Sequence, residues 1–192
     1  MTKTVGAIVL AAGFSNRFGS QKLCAKLPNG STVFAQTLKR IKSAISQVTV
    51  VTRPELAELL LLEPDEVSLF LNAEKGMGST IAFGISLSRN WDACLICLAD
   101  MPFIQTTTYQ IIATALKQDN IIIPLYKGKR GNPVGFGNKF FDDLTSLSGP
   151  KGALPVSQTY HFATRNVEVD DPAILYDIDT RKDLNRYDTF SL

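Results

Sequence analysis

The stretch from Val5 to Lys22, VGAIVLAAGFSNRFGSQK, restricts the possible folds more than any other part of the chain. Its first half, Val5 to Ala12, is an uninterrupted apolar run. It is short and lacks the alternation of a half-exposed strand, so it reads as a strand buried on both faces. Its second half is a glycine-containing loop with two cations, Arg17 and Lys22. Ala11, Ala12 and Gly13 have too little bulk to keep a ligand away from the backbone N–H groups beyond the strand. Arg17 and Lys22 would then neutralise an anion held there. No Gly-Lys-Ser/Thr follows Gly13 at the spacing of a Walker loop, and Gly13 and Gly19 are too far apart for the three-glycine dinucleotide fingerprint. On spacing alone, an ordinary βα turn with two solvated charges explains the stretch equally well.

The rest of the chain repeats the alternation of strand and helix. Phe34, Leu38, Ile41 and Ile45 form one helical stripe between Ser31 and Ser46. A short strand, Val48 to Thr52, follows. Pro54 then opens a helix whose buried face is expected from Leu56 and Leu59 to Leu62, with Pro64 stopping it. Val67 to Leu71 is a third strand. The loop from Asn72 to Gly78 leads to a helix running to about Asn90, capped by Ser79 or Thr80. Ala93 to Ala99 is apolar throughout, hence a central strand, and it ends at Asp100-Met-Pro102.

A helix from Thr106 to Gln118, with Ile111, Ile112 and Ala115 inward, precedes a strand from Ile121 to Leu125. A cationic loop, Tyr126 to Pro133, leads to a short strand at Val134 to Phe136 and a helix from Asn138 to Ser146. Val167 to Val169 is the last strand, and Asp179 or Thr180 starts the last helix. The late strands around Val134 and Val167 are candidates for antiparallel pairing. This order describes one three-layer α/β domain over 1–192 with a mostly parallel central sheet.

Composition narrows the function. The 192 residues carry a net charge of only +2, too mild to argue for nucleic acid or an anionic membrane surface as partner. No apolar run is long enough to span a bilayer. Lys3 followed by VGAIVLAA imitates a weak signal peptide, but the polar loop after it fits a first strand better, which points to a cytoplasmic protein. Cys94 and Cys97 have the spacing of a CxxC motif but lie within a strand. There they face opposite sides and cannot share a metal or close a bridge. His161 is the only histidine, which leaves no zinc cluster and no supported Ser-His pair.

Asp100 stands at the carboxyl end of a buried strand, where open α/β sheets place their ligands, and Pro102 keeps the chain extended beyond it. A helix cap or surface turn is the plainer alternative. Lys127, Lys129 and Arg130 could equally be a solvated hairpin tip, and Asp-x-x-x-Asp at a helix start is ordinary capping. Nothing here suggests a hydrolase nucleophile. The inventory of a carboxylate, cations and a small-residue loop instead suits transfer of a phosphorylated group.

The string LAAG-x-S-x-R-x-G-x-x-K, from Leu10 to Lys22, resembles the opening signature of the nucleotidyltransferases that attach a nucleotide to molybdopterin, most closely the molybdenum cofactor cytidylyltransferase branch. LADMP, ending the strand at Asp100, resembles their second signature. The resemblance implies a Rossmann-like nucleotidyltransferase fold. It also implies a nucleotide site at Leu10, Ala11, Ala12, Gly13, Arg17, Lys22, Asn72 and Ser79, with Lys22, Arg17 and Asp100 catalytic. It places Mg²⁺ on Asp100 and Asp179, and acceptor contacts on Arg130 and Asn132. An LAAG opening goes with CTP, and the Ala12 methyl leaves less room for a purine. The implied partners are CTP, molybdopterin or the molybdenum cofactor as acceptor, and an apo-molybdoenzyme receiving the product.

The chain departs from these relatives after Gly149. They carry Gly-Asp-x-Gly-Ala-Arg, whereas this chain has Pro150 and Leu154 in place of the acidic and basic residues. That leaves open a transferase acting on another phosphorylated acceptor, such as a sugar phosphate, or using GTP. A non-catalytic cofactor carrier is a third reading, and retention of Asp100 speaks against it.

Overall fold

The computed structural model describes residues 3–14, 18–62 and 67–184. Its strands are β1 (Val5–Leu10), β2 (Gln47–Thr52), β3 (Val67–Leu69), β4 (Ala93–Leu98), β5 (Ile121–Tyr126), β6 (Lys129–Arg130), β7 (Val134–Gly137) and β8 (Thr164–Glu168). Its helices are α1 (Val33–Ala44), α2 (Pro54–Leu60), α3 (Met77–Ser86), α4 (Thr106–Ala115), α5 (Phe141–Thr145), α6 (Leu154–Thr159) and α7 (Arg181–Leu184). The strands form one sheet in the order β3-β2-β1-β4-β7-β5-β6, with β8 also paired to β5. β1 pairs in parallel with β2 and with β4, so the strand order reverses direction around β1. Open α/β sheets bind their ligands outside the carboxyl ends of strands at such a reversal.

β7 is antiparallel to both β4 and β5, as its late position suggested. β8 is not antiparallel: it runs parallel to β5, with Ile121 opposite Thr164. Two parallel strands need a crossover between them, and α5 and α6 occupy the chain between β7 and β8.

Two apolar layers cover the sheet. Ala7, Val9, Leu95 and Cys97 face one layer with α1 and α4, while Ile8, Cys94 and Ile96 face the other with α3 and α5. Cys94 and Cys97 thus fall on opposite faces, and burial pushes both thiols far above their ordinary range. The α1 stripe is buried as its spacing requires, and the Thr32 hydroxyl caps the helix by accepting from Ala35 N at 3.0 Å. α3 lies close to the sheet because Gly84 has no side chain; a Cβ there would sit 2.6 Å from Ile8 Cγ2.

Three helices differ from the sequence expectation. In α2 only Leu56 is fully buried, whereas Leu59 and Leu61 are exposed. A run of consecutive leucines cannot face one side of a helix, and this helix ends at Leu60 with Leu61 left-handed at φ 52°. Pro64 lies outside the described residues. In α4, Ile112 points inward and Ile111 outward, and Tyr109 is the second large buried side chain. α3 begins at Met77 with Gly76 as its cap, three residues before the expected cap Ser79. Among the described residues no helix is long and apolar enough to cross a membrane.

Candidate active site

The site forms where β1 and β4 end side by side. Leu10 pairs with Leu98, and Ala99 N donates to Leu10 O at 3.2 Å. The loop leaving β1 is fixed on its other side by β2. Ala11 N donates to Val51 O at 2.8 Å, and the Thr52 hydroxyl donates to Ala11 O at 2.9 Å. These bonds hold the small residues Ala11 to Gly13 at the sheet edge, so that they wall a cavity of about 460 Å³ together with Leu10 and Phe14. Asp100 enters it from the end of β4, and Lys22 from a short 3₁₀ turn, Lys22–Cys24.

A third segment completes the edge. Ile178 N donates to Asp100 O at 2.9 Å, and the Ile178 side chain is buried. In extended backbone the residues on either side of Ile178 face the same way, and Asp177 and Asp179 both line the cavity. The carboxylates of Asp100, Asp177 and Asp179 offer one oxygen each within 4.8 Å of one another. The Lys22 ammonium lies among them, 2.6 Å from Asp100 Oδ2 and 2.9 Å from Asp179 Oδ1.

The electrostatics follow from this crowding. Burial acts to lower the Lys22 pKa, but Asp100 and Asp179 outweigh it, so the ammonium titrates above its ordinary value and stays charged. Burial pushes the Asp100 carboxyl upward. Lys22 offsets this only in part, and Asp177 adds to the rise. Asp100 Oδ1 is buried without a hydrogen-bond partner. An ionised carboxylate with one oxygen bare, beside two more carboxylates, is short of positive charge. Hard oxygen donors of this kind suit a divalent cation such as Mg²⁺ or Mn²⁺, and the residues present fit one.

Of the residues singled out in the sequence, Leu10, Ala11, Ala12, Gly13, Lys22, Asp100 and Asp179 line this one cavity. Arg17 lies outside the described residues. Asn72 is exposed and Ser79 is turned back to Lys75 O at 3.5 Å; neither lines the cavity. Ala73, Gly76, Met77 and Thr80 take their place on that wall. Because α3 starts at Met77, residue 80 rather than 79 falls one turn on, over the cavity. Asp177 was missed, although the alternation Asp177-Ile-Asp179 in non-helical chain signals two carboxylates on one side.

Arg130 and Asn132 line a second cavity of about 370 Å³, and Met77 and Leu98 belong to both. The turn that carries them is held by Gly131 N donating to Pro124 O at 2.9 Å and Asn132 N donating to Ile174 O at 2.9 Å. Pro150 lines the first cavity and Leu154 the second.

The family model of the MobA-like NTP transferase domain matches residues 7–165. The chain belongs to that family. It is a nucleotidyltransferase with the Rossmann-like α/β fold of the group. Among curated proteins it is 27% identical over 187 residues to the purine catabolism protein PucB of Bacillus subtilis, covering 90% of each chain. It is 23% identical over 185 residues to the molybdenum cofactor cytidylyltransferase of Escherichia coli, covering 93% of each. The crystal structure of Rv0371c from Mycobacterium tuberculosis superposes with a TM-score of 0.83 at 25% identity, over 97% of this chain and 98% of that one. A manganese complex of Rv0371c gives a TM-score of 0.78 at 21% identity, over 96% and 97% of the two chains. The transferase thus carries the MobA-like NTP transferase domain over most of its sheet, and its acidic cluster is where a divalent cation fits.

Proposed function

We propose that the transferase moves a cytidylyl group from CTP to the phosphate of molybdopterin or the molybdenum cofactor and releases pyrophosphate. The observation that carries this reading is Lys22 held between Asp100 and Asp179 in a cavity that adjoins a second, cationic one. Similarity to the E. coli cytidylyltransferase supports the acceptor, and the LAAG opening with the Ala12 methyl supports the pyrimidine.

In this mechanism an acceptor phosphate oxygen attacks the α-phosphorus of CTP. A new P–O bond forms, the bond from the α-phosphorus to the bridging oxygen breaks, and the electron pair leaves on pyrophosphate. Backbone N–H groups of Ala11 to Gly13, with Lys22 and Arg17, orient the triphosphate and offset its charge. Asp100 and Asp179, with Asp177, would hold Mg²⁺, which would supply positive charge against the triphosphate and the leaving group. Lys22 moves from the carboxylates to the phosphates as they arrive, since the ammonium can serve either anion. Arg130 and Asn132 bind the acceptor and bring its phosphate towards the wall shared by the two cavities. The product would pass to an apo-molybdoenzyme in the cytoplasm.

A second reading is favoured by Pro150 and Leu154: the same chemistry on a different phosphorylated acceptor. The similarity to PucB, named for purine catabolism, also fits an acceptor or recipient enzyme outside the cytidylyltransferase branch. Pyrophosphate release separates the readings. Purified protein with Mg²⁺ is given each nucleoside triphosphate in turn, with molybdopterin, with a sugar phosphate or with no acceptor. Release with CTP and molybdopterin together is the expected result. Release only with another acceptor sustains the second reading, and no release with any pair ends both.

A further inference from the structure

Asp171 is only 2% exposed and lines neither cavity, yet its two carboxylate oxygens serve two different segments. Oδ2 accepts from Gln105 N at 2.8 Å and from the Thr108 hydroxyl at 2.6 Å, both at the start of α4. Oδ1 accepts from Ala173 N at 3.1 Å, in the 3₁₀ turn Pro172–Leu175. Capping that turn accounts for Oδ1 alone. Oδ2 ties the turn to chain 63 and 66 positions away.

The two segments joined in this way are those that carry the acidic cluster. Asp100 stands shortly before Gln105, and Asp177 and Asp179 stand shortly after Ala173. Met101, Phe103 and Ile104 are buried on the first segment, and Ala173, Ile174 and Ile178 on the second. The segments meet again where Ile178 N donates to Asp100 O. With a joint at Asp171 and another at Ile178, neither segment can slide along the other. A small hard cation needs its oxygens at about 2.1 Å, so their spacing must be held closely.

We propose that Asp171 is a positioning residue for the divalent-cation site, fixing Asp177 and Asp179 relative to Asp100 by clamping the 171–179 segment to the start of α4. The proposal rests on the acidic cluster being the cation site. It explains why the buried group is a carboxylate. Asparagine has the same size but a single oxygen. Whichever way its amide turned, either Gln105 N or Ala173 N would face an –NH₂ group and lose its acceptor.

The test is Mn²⁺ binding to the whole, nucleotide-free protein by electron paramagnetic resonance, with folding checked by urea unfolding. Changing a residue behind the metal ligands typically costs at least tenfold in affinity, so Asp171→Asn should weaken Mn²⁺ about tenfold while still folded. Thr108→Val keeps the shape and removes one donor, so it should weaken binding in the same direction by less. That variant carries the test if Asp171→Asn does not fold. Gly84→Val, destabilised on the other face of the sheet, should bind Mn²⁺ as wild type does, because affinity and not stability is what Asp171 sets. Wild-type affinity in folded Asp171→Asn or in Thr108→Val, or an equal loss in Gly84→Val, would overturn the proposal. Asp100→Asn keeps the two readings apart. If wild type binds no Mn²⁺, or Asp100→Asn binds it as tightly as wild type, the cluster is not the cation site and both readings fall. If Asp100→Asn weakens binding and Asp171→Asn does not, the positioning role alone is wrong.

Discussion

Replacing Lys22 by methionine should tighten divalent-cation binding to the nucleotide-free enzyme, although loss of an active-site residue usually weakens a ligand. The ammonium occupies Asp100 Oδ2 at 2.6 Å and Asp179 Oδ1 at 2.9 Å, two of the oxygens that a metal ion would use. A cation entering the cluster must displace it or share a carboxylate with it. A hydrogen bond to a charged group contributes about 1.5–3 kcal/mol. The Asp179 side chain is 37% exposed, so its bond is screened and counts for less. Displacement then costs the ion about 2 kcal/mol, or about 30-fold in dissociation constant.

Methionine keeps the length and packing of the side chain without the charge, so that cost disappears. Manganese is a convenient probe, because free Mn²⁺ can be followed by electron paramagnetic resonance at neutral pH without nucleotide. Lys22→Met should bind it about 30-fold more tightly than wild type, and Asp100→Asn should bind it more weakly than either. Adding CTP should help wild type more than the variant, since the triphosphate offers the ammonium another partner. If Lys22→Met binds Mn²⁺ no better than wild type, the lysine supports the carboxylates and does not compete for them, and the proposed movement to the phosphates is wrong.

Three other outcomes are expected. Asp100→Asn should lower pyrophosphate release by about two orders of magnitude or more with an unchanged circular dichroism spectrum; wild-type turnover would remove Asp100 from the metal site. Gly84→Val puts a side chain where a Cβ already meets Ile8 Cγ2 at 2.6 Å and Val51 Cγ2 at 3.1 Å, so it should cost about 1–3 kcal/mol in urea unfolding; an unchanged midpoint would mean that α3 is not seated on β1 as described. The folded-state pKa of Lys22 is raised above 10.5, so its contribution to stability is complete below pH 10.5 and is lost as the pH climbs through the higher value. From neutrality upward, the stability gap between wild type and Lys22→Met should therefore shrink only in that alkaline window, and a gap that closes between neutrality and pH 10.5 would contradict the assignment.

The legible parts of the sequence were those where a single period dominates. β1 and β4 are unbroken apolar runs, and α1 has one clean stripe, so type and burial followed directly. α2 was misread because consecutive leucines have no period: every register looks equally apolar, and the backbone turns left-handed at Leu61 before the run is finished. The direction of β8 was hidden by α6, which opens at Leu154-Pro155 and is only six residues long, too short to show a period. Without that crossover, strands so late in the chain look like a meander. At the site, Lys22, Asp100 and Asp179 could be named from local strings, whereas their meeting depends on Ile178 N reaching Asp100 O, a contact between residues 78 positions apart. Ser79 does not line the cavity whereas Thr80 does, because α3 is capped at Gly76, three residues earlier than the local string suggested, so that Ser79 lies inside the first turn and not at its cap.

The two departures at Pro150 and Leu154 acquire their meaning from the way the 148–154 loop is joined to α3. Gly78 N donates to Gly149 O at 2.8 Å, and Gly149 N donates to Lys75 O at 3.0 Å. A Cβ at Gly76 would lie 2.6 Å from Gly149 backbone, and one at Gly78 would lie 2.7 Å from Ser148 O, so only glycines allow this approach. The start of α3 and the loop therefore form one wall between the cavities, with Met77 exposed to both. Pro150 lines the first cavity on one side of that wall, and Lys151 and Leu154 line the second on the other. A substitution in the loop cannot adjust one cavity while the other keeps its shape, because the backbone bonds that place one face place both. The two cavities are thus joined in this chain through four hydrogen-bonded or close-packed residues, Lys75, Gly76, Gly78 and Gly149, of which Gly76 alone lines either cavity.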